Sequence, residues 1–284
     1  MSYFHLNLIL KGKLTVCCLL MLPAIPLNAQ REAKQIGDFK ESISLNEHLR
    51  GTKRTLQYRP DGDEFVCVNG KNRYTRALYG SHSPFRVETS DRPVFAFYNN
   101  GRGGNISFKV ILRDGTELAL DCTGHCESRY SAGKRTYYLT DPSWGKGELR
   151  ISVLALADMD GAIWRFSPSN MPKGAILRWQ HGGATGKRLS RNGDMGVDPA
   201  DCFELPVEAT DLVTGELPLQ KEVYLVRGEV PEGYNVRKLY QQAEAASLAL
   251  ASHLKIETPD PYLNTLGGAL VAAADGIWDR SEER

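Results

Sequence analysis

From residue 55 to about residue 230, short stretches rich in valine, isoleucine, phenylalanine, tyrosine and threonine alternate with turn-forming residues. Helical periodicity is nearly absent over the same span. This pairing of features leaves a sandwich or an open barrel of antiparallel strands, because an α/β arrangement needs long amphipathic crossovers. The spacing predicts strands over 64–68, 73–79, 94–98, 105–112, 116–120, 135–139, 148–155, 162–166, 175–180 and 222–228. Two turn signals predict hairpins. Asn69-Gly70 separates the first two stretches and Asp114-Gly115 the fourth and fifth, and both dipeptides tolerate positive φ.

The pattern changes near Gly233. Val236, Leu239, Tyr240, Ala243, Ala246, Leu250 and Leu254 recur at helical spacing. A second helix is expected to begin with Asp260 as its cap and Pro261 in its first turn. Its expected apolar face holds Leu263, Leu266, Leu270, Val271, Ala274, Ile277 and Trp278. Gly267-Gly268 and the alanines at 272–274 are small enough to admit another helix closely. The pattern alone leaves two arrangements open: both helices pack on the β-rich part, or they begin an all-helical domain.

At the other end, Lys11 and Lys13 precede an apolar run at 14–22, Pro23 and Pro26 break it, and Ala29 offers a small residue before Gln30. That is the layout of a secretory signal peptide over 1–29, and the run is too short to span a bilayer comfortably. A polar leader follows over 30–49. No other segment is apolar enough to cross a membrane, so none is expected to do so after signal removal. With 35 basic and 34 acidic residues, the net charge of +1 gives no general reason to expect nucleic acid as a partner.

Past the signal, four cysteines remain: Cys67, Cys122, Cys126 and Cys202. Export permits disulfides, and four cysteines allow three pairings that spacing does not separate. Cys122-Thr-Gly-His-Cys126 presents only one ligand pair, whereas structural zinc takes four ligands in two spaced pairs. A local disulfide or buried free thiols fit better, and neither a metal nor a cofactor is expected.

No residues form a catalytic constellation. A glycosidase needs two carboxylates flanking one bond, roughly 5 to 10 Å apart, and sequence does not show which carboxylates face one cleft. Gly182 to Arg188 fails as a phosphate loop because its glycine spacing is wrong and Arg188 stands at the Ser/Thr position. Residues 179–202 still read as a long Gly-rich loop carrying Trp179, His181, Lys187, Arg188, Arg191 and Asp194. With Trp144, expected in an exposed turn, they offer aromatic faces and planar polar groups, and paired guanidinium groups suit a carboxylated sugar. Trp164, inside an apolar strand, is expected in the core.

Three stretches carry a resemblance. They are 49–60 continuing into Phe65-Val-Cys-Val-Asn-Gly70 and Asn72 to Gly80; His181 to Asp194; and Glu257 to Asn264 with Ala272 to Asp279. Together these resemble an uncharacterised N-terminal domain family of large exported bacterial proteins from polysaccharide-degradation systems. In that family a β-rich domain precedes an (α/α)6 toroid of glycoside-hydrolase type. The resemblance implies a mainly β, antiparallel sandwich-like domain over 50–232 and, over 233–284, the first helices of a truncated toroid. It implies a non-catalytic module that braces or walls a catalytic helical domain in cis, with catalytic residues beyond this chain. It also implies a glycan as partner, which Arg188 and Arg191 suggest is an acidic plant or host polysaccharide, and a periplasmic or cell-surface location in a Gram-negative bacterium. The alternative is a stand-alone glycan-binding module using residues 179–202.

Overall fold

Leu149, Ile151, Val153 and Ala155 of one strand and Ala162, Trp164 and Phe166 of the next are all buried in one core. This is the period of two that sets one face of each strand inward. The computed structural model describes residues 57–80, 82–99, 102–188 and 212–277. The expected signal peptide and polar leader, and Cys202, lie outside the described residues.

In chain order the strands are β1 (Arg59–Asp61), β2 (Glu64–Val68), β3 (Arg76–Leu78), β4 (Arg86–Thr89), β5 (Phe95–Asn99), β6 (Arg102–Ile111) and β7 (Glu117–Ala119). There follow β8 (His125–Ser131), β9 (Lys134–Thr140), β10 (Glu148–Ala155), β11 (Gly161–Ser169), β12 (Ile176–Arg188), β13 (Val213–Pro218) and β14 (Val223–Gly228). Two helices complete the order, α1 (Val236–Ala251) and α2 (Pro261–Gly276). One sheet runs β1-β2-β8-β9-β10-β11-β14. The other runs β13-β12-β6-β5-β4-β3, with β7 added to β6. The fold is mainly β, two antiparallel sheets followed by two helices.

The sheets meet through aromatic rings. Phe95, Phe97 and Phe108 of the second sheet stand 5.6, 5.8 and 5.9 Å from Trp164 of the first. Trp164 is fully buried, as its apolar strand predicts. Burying one such side chain contributes roughly 1.5–3 kcal/mol, and the edge-to-face and tilted ring pairs add to that.

The two hairpin expectations part ways. Asp114-Gly115 does join β6 to β7: Gly115 takes φ +88° and the Asp114 carboxylate accepts from the Thr116 amide at 2.9 Å. Asn69-Gly70 makes no hairpin. β2 pairs with β8, while β3 lies in the other sheet beside β4. Asn69 has φ +52°, but its amide continues the ladder to the Cys126 carbonyl at 2.8 Å. Gly70 is there for close approach, since a Cβ would lie 2.4 Å from Asp91 Oδ2 and 2.6 Å from Cys67 Sγ. A positive-φ asparagine followed by a close-packed glycine therefore marks a crossing between sheets.

Both helices pack on the sandwich. Asn235 caps α1, its side chain accepting from the Lys238 amide. Leu239, Tyr240 and Ala243 of α1 cover Leu154, Leu156 and Ile163 on the outer face of the first sheet. Asp260 caps α2 and Pro261 stands in its first turn, as expected. Tyr262, Leu266 and Ala269 of α2 pack against the sandwich core, and the Thr265 hydroxyl donates to the Gly62 carbonyl at 2.9 Å. Gly267 and Gly268 do admit close neighbours. These are Leu254 and Ile256 after α1, Ala251 at its end, and Ala132 of the β8–β9 turn.

The expected apolar face of α2 is only partly buried. Leu266 packs inward, but Leu263, Leu270 and Ile277 are 45, 47 and 73% exposed. These three follow one another at intervals of seven, so they form one largely exposed stripe along the helix. No described helix is long and apolar enough to cross a membrane.

Candidate binding site at the seam of sandwich and helices

A cavity of about 620 Å³ opens where the end of the sandwich meets α1 and α2. Five segments build it. The stretch after β3 brings Tyr79, His82 and Ser83; the β8–β9 hairpin brings Tyr130; the β10–β11 turn brings Asp158; α1 brings Ala246 and Ser247; the last turn of α2 brings Asp275. His253, just past α1, completes the rim. Tyr79 and Tyr130 form a wall shared with a smaller cavity of about 280 Å³ under α2.

Local contacts fix this geometry. His82 Nε2 stands 3.1 Å from Asp275 Oδ1, tying the sandwich loop to the end of α2. Ser83 donates to Asp160 in the β10–β11 turn. Ser247 of α1 donates to the Ala132 carbonyl at 2.5 Å, and Lys134 pairs with Glu244 at 3.1 Å. The last turn of α2 lies directly on Tyr79, because a Cβ on Gly276 would sit 2.1 Å from the ring. Burial pushes the Tyr79 phenol above its ordinary pKa, so it stays a protonated donor at neutral pH.

The residues expected to bind ligand sit elsewhere. Trp144 was expected in an exposed turn and is 2% exposed. Asp141 caps a 3-10 turn at 142–144 by accepting from the Ser143 amide, and the indole is buried in the sandwich core. Trp179 is also buried, at 9% exposure, and lies on the inner face of β12 beside Leu177. The Arg227 guanidinium of β14 stacks 5.0 Å above its ring, and Arg227 Nε donates to His181 Nδ1 at 3.0 Å. Trp179 and His181 are therefore brought together, with Arg227 as an inter-sheet bridge. Burial lowers the Arg227 pKa, as expected of a guanidinium held between sheets.

The stretch from 179 to 188 is strand rather than loop. β12 runs to Arg188 and pairs with β6 through Gly182↔Asn105 and Gly183↔Gly104, with a register shift before Arg188↔Arg102. Glycine lowers strand propensity, so the run read as a loop, but its partner is equally Gly-rich and the ladder carries both. For Lys187 and Arg188 only the backbone is described; Arg191 and Asp194 lie outside the described residues.

Cys67, Cys122 and Cys126 are free thiols. Among the described residues no group of three or more histidines, cysteines or carboxylates could hold a metal ion.

Residues 100–229 match the family model for a domain of unknown function, DUF4450. The DUF4450 match starts at the head of β6 and ends just past β14. It takes in Tyr130 and Asp158 of the cavity, whereas Tyr79, His82, α1 and α2 lie outside it. No curated protein matches the chain.

Sequence reasoning missed His82, Asp275 and Tyr79 as site residues. His82 looked like a lone histidine, because its partner is 193 residues away. The available signal was indirect: Gly276 breaks an alanine-rich helix end where only a close neighbour requires it.

Proposed function

We propose that this chain is a non-catalytic module of an exported carbohydrate-processing protein, built to brace a helical domain. The exposed stripe of α2 carries the reading. Leu263, Leu270 and Ile277 run beside the packed face, Leu270 also edging the small cavity under α2, and their exposure leaves an apolar surface that a helix in water does not need. Leu248 of α1 and Leu254 just past its end extend the apolar surface, beside a groove of about 380 Å³ between the two helices. A further amphipathic helix fits such a surface. The resemblance of 257–264 and 272–279 to the opening of a glycoside-hydrolase toroid names the class of domain that would supply it.

Two measurements test this. The purified chain, assayed against plant and host polysaccharides, should release no reducing ends; turnover by the chain alone overturns the non-catalytic role. A photo-reactive residue placed at Leu270 in the source cells should cross-link to a helical segment of a carbohydrate-active domain, in the same polypeptide or bound to it. Cross-linking only to other surfaces overturns the bracing role.

A further inference from the structure

We infer that the seam cavity between the sandwich and the two helices binds a short neutral saccharide. The ligand class rests on the carbohydrate reading above; the site itself rests on its geometry. Its volume of about 620 Å³ falls within the range of small-molecule sites, roughly 300–1,000 Å³.

Its chemistry is mixed. Tyr79 and Tyr130 give an aromatic wall, half-buried at Tyr79 and buried at Tyr130, flanked by small side chains such as Ala77 and Ala243. The polar groups are hydroxyls, imidazoles and carboxylates: Ser83, Ser247, His82, His253, Asp158 and Asp275. Ser83 and Ser247 already donate within the protein and His82 pairs with Asp275, which leaves the two hydroxyl oxygens and the carboxylates as acceptors for ligand hydroxyls and His253 able to take either role.

No lysine or arginine is among the described residues lining this cavity. An anionic ligand would meet two carboxylates with no guanidinium or ammonium to pair with it. Arg76 lines the smaller cavity beyond the tyrosines, and it is already engaged there, stacked on Tyr58 and Tyr130 and donating to the Thr75 carbonyl. The site therefore selects neutral over acidic sugars, unlike the acidic glycan suggested by Arg188 and Arg191.

The test is calorimetric titration of the full chain with neutral gluco-, manno-, galacto- and xylo-oligosaccharides and with uronic-acid oligomers. At least one neutral series should bind, and the uronic-acid oligomers should bind at least about tenfold more weakly. Ala246→Trp fills the cavity from an exposed helix position and should weaken binding by at least about tenfold without lowering the melting temperature. His82→Ala should weaken it as well, while Arg188→Ala should leave it unchanged. Saccharide binding untouched by Ala246→Trp and His82→Ala overturns the site and leaves the carbohydrate reading standing. Preferred binding of uronic acids, or no saccharide binding at all, overturns the inference without touching the bracing surface on α2, which the cross-link reads separately.

Discussion

Arg135 and Asp91 face each other between the two sheets with Nη2 3.7 Å from Oδ1, and neither side chain is exposed to solvent. Arg135 belongs to β9 and Asp91 to the segment after β4, so the pair joins one sheet to the other. Neighbouring groups tighten the join. Arg135 and Tyr137 both donate to the Ser90 carbonyl, and Asp91 accepts from the Asn72 amide and from Tyr58. Removing one partner leaves a buried charge uncompensated, which costs about 3–5 kcal/mol. Arg135→Met should therefore lower the unfolding free energy by about that amount in urea denaturation. Asp91→Asn in the same background should cost much less than it does alone. Equal, additive losses would show that the two residues act separately.

Gly276 sets two principles against each other. At the end of a helix interior, alanine is favoured over glycine by about 0.5–1 kcal/mol. Here a Cβ would meet the Tyr79 ring at 2.1 Å. Overpacking of that kind costs about 1–3 kcal/mol, so Gly276→Ala should destabilise the protein. It should also raise amide exchange in the last turn of α2. A gain in stability would mean that α2 does not rest on Tyr79.

The thiols differ in access. Burial pushes the Cys126 thiol up to about 12, and it raises Cys67 as well. Cys122 is exposed, and its thiol is also raised, by partial burial and then by Asp121. Iodoacetamide applied to the folded protein should modify Cys122 first among these three and spare Cys67 and Cys126 until denaturant is added. Peptide mapping reads the order. Early labelling of Cys126 would contradict its place in the core.

Much of this fold was legible in sequence. The strands from β9 to β11 follow apolar runs closely, and the cap of α2 sits at Asp260, the residue its chemistry names. β4 and β8 were harder to see: β4 is only four residues long and buries a charged residue, Glu88, and the His-Cys-Glu-Ser-Arg-Tyr-Ser of β8 hides a short inward face behind charged outward residues. The site was illegible for a different reason. Its polar rim joins residues from 82 to 275 that no local period connects. The aromatic residues that drew attention, Trp144 and Trp179, are conspicuous because they build the core.

Glu88 yields a pH signature. It is buried in β4 with Arg86 Nε 2.7 Å from its carboxylate, and burial outweighs that contact and raises its pKa. The folded state therefore holds the Glu88 proton more tightly than the unfolded state, whose glutamate titrates near about 4.3. The stabilising contribution is full below that value and is lost as pH rises through the folded pKa. Glu88→Gln cannot ionise and escapes this loss. Its melting temperature relative to wild type should rise between about pH 4 and pH 7. A relative melting temperature that falls over the same interval would show that the ionised carboxylate is favoured in the fold.

The two faces of the helical pair should respond oppositely to truncation. Leu239 is buried against Leu154, Leu156 and Ile163. Leu239→Ala should cost about 2–5 kcal/mol, through lost transfer energy and the cavity left behind. Leu270 is 47% exposed on the apolar stripe of α2. Leu270→Ala should stay within about 0.5 kcal/mol in the isolated chain, as surface substitutions do. If a helical domain covers that stripe, the same substitution should become costly only when the domain is present. Comparing the melting curves of both variants, with and without it, separates a surface left bare from one that is built to be covered. A large loss for Leu270→Ala in the isolated chain would mean that the stripe is already packed, removing the observation on which the bracing role rests.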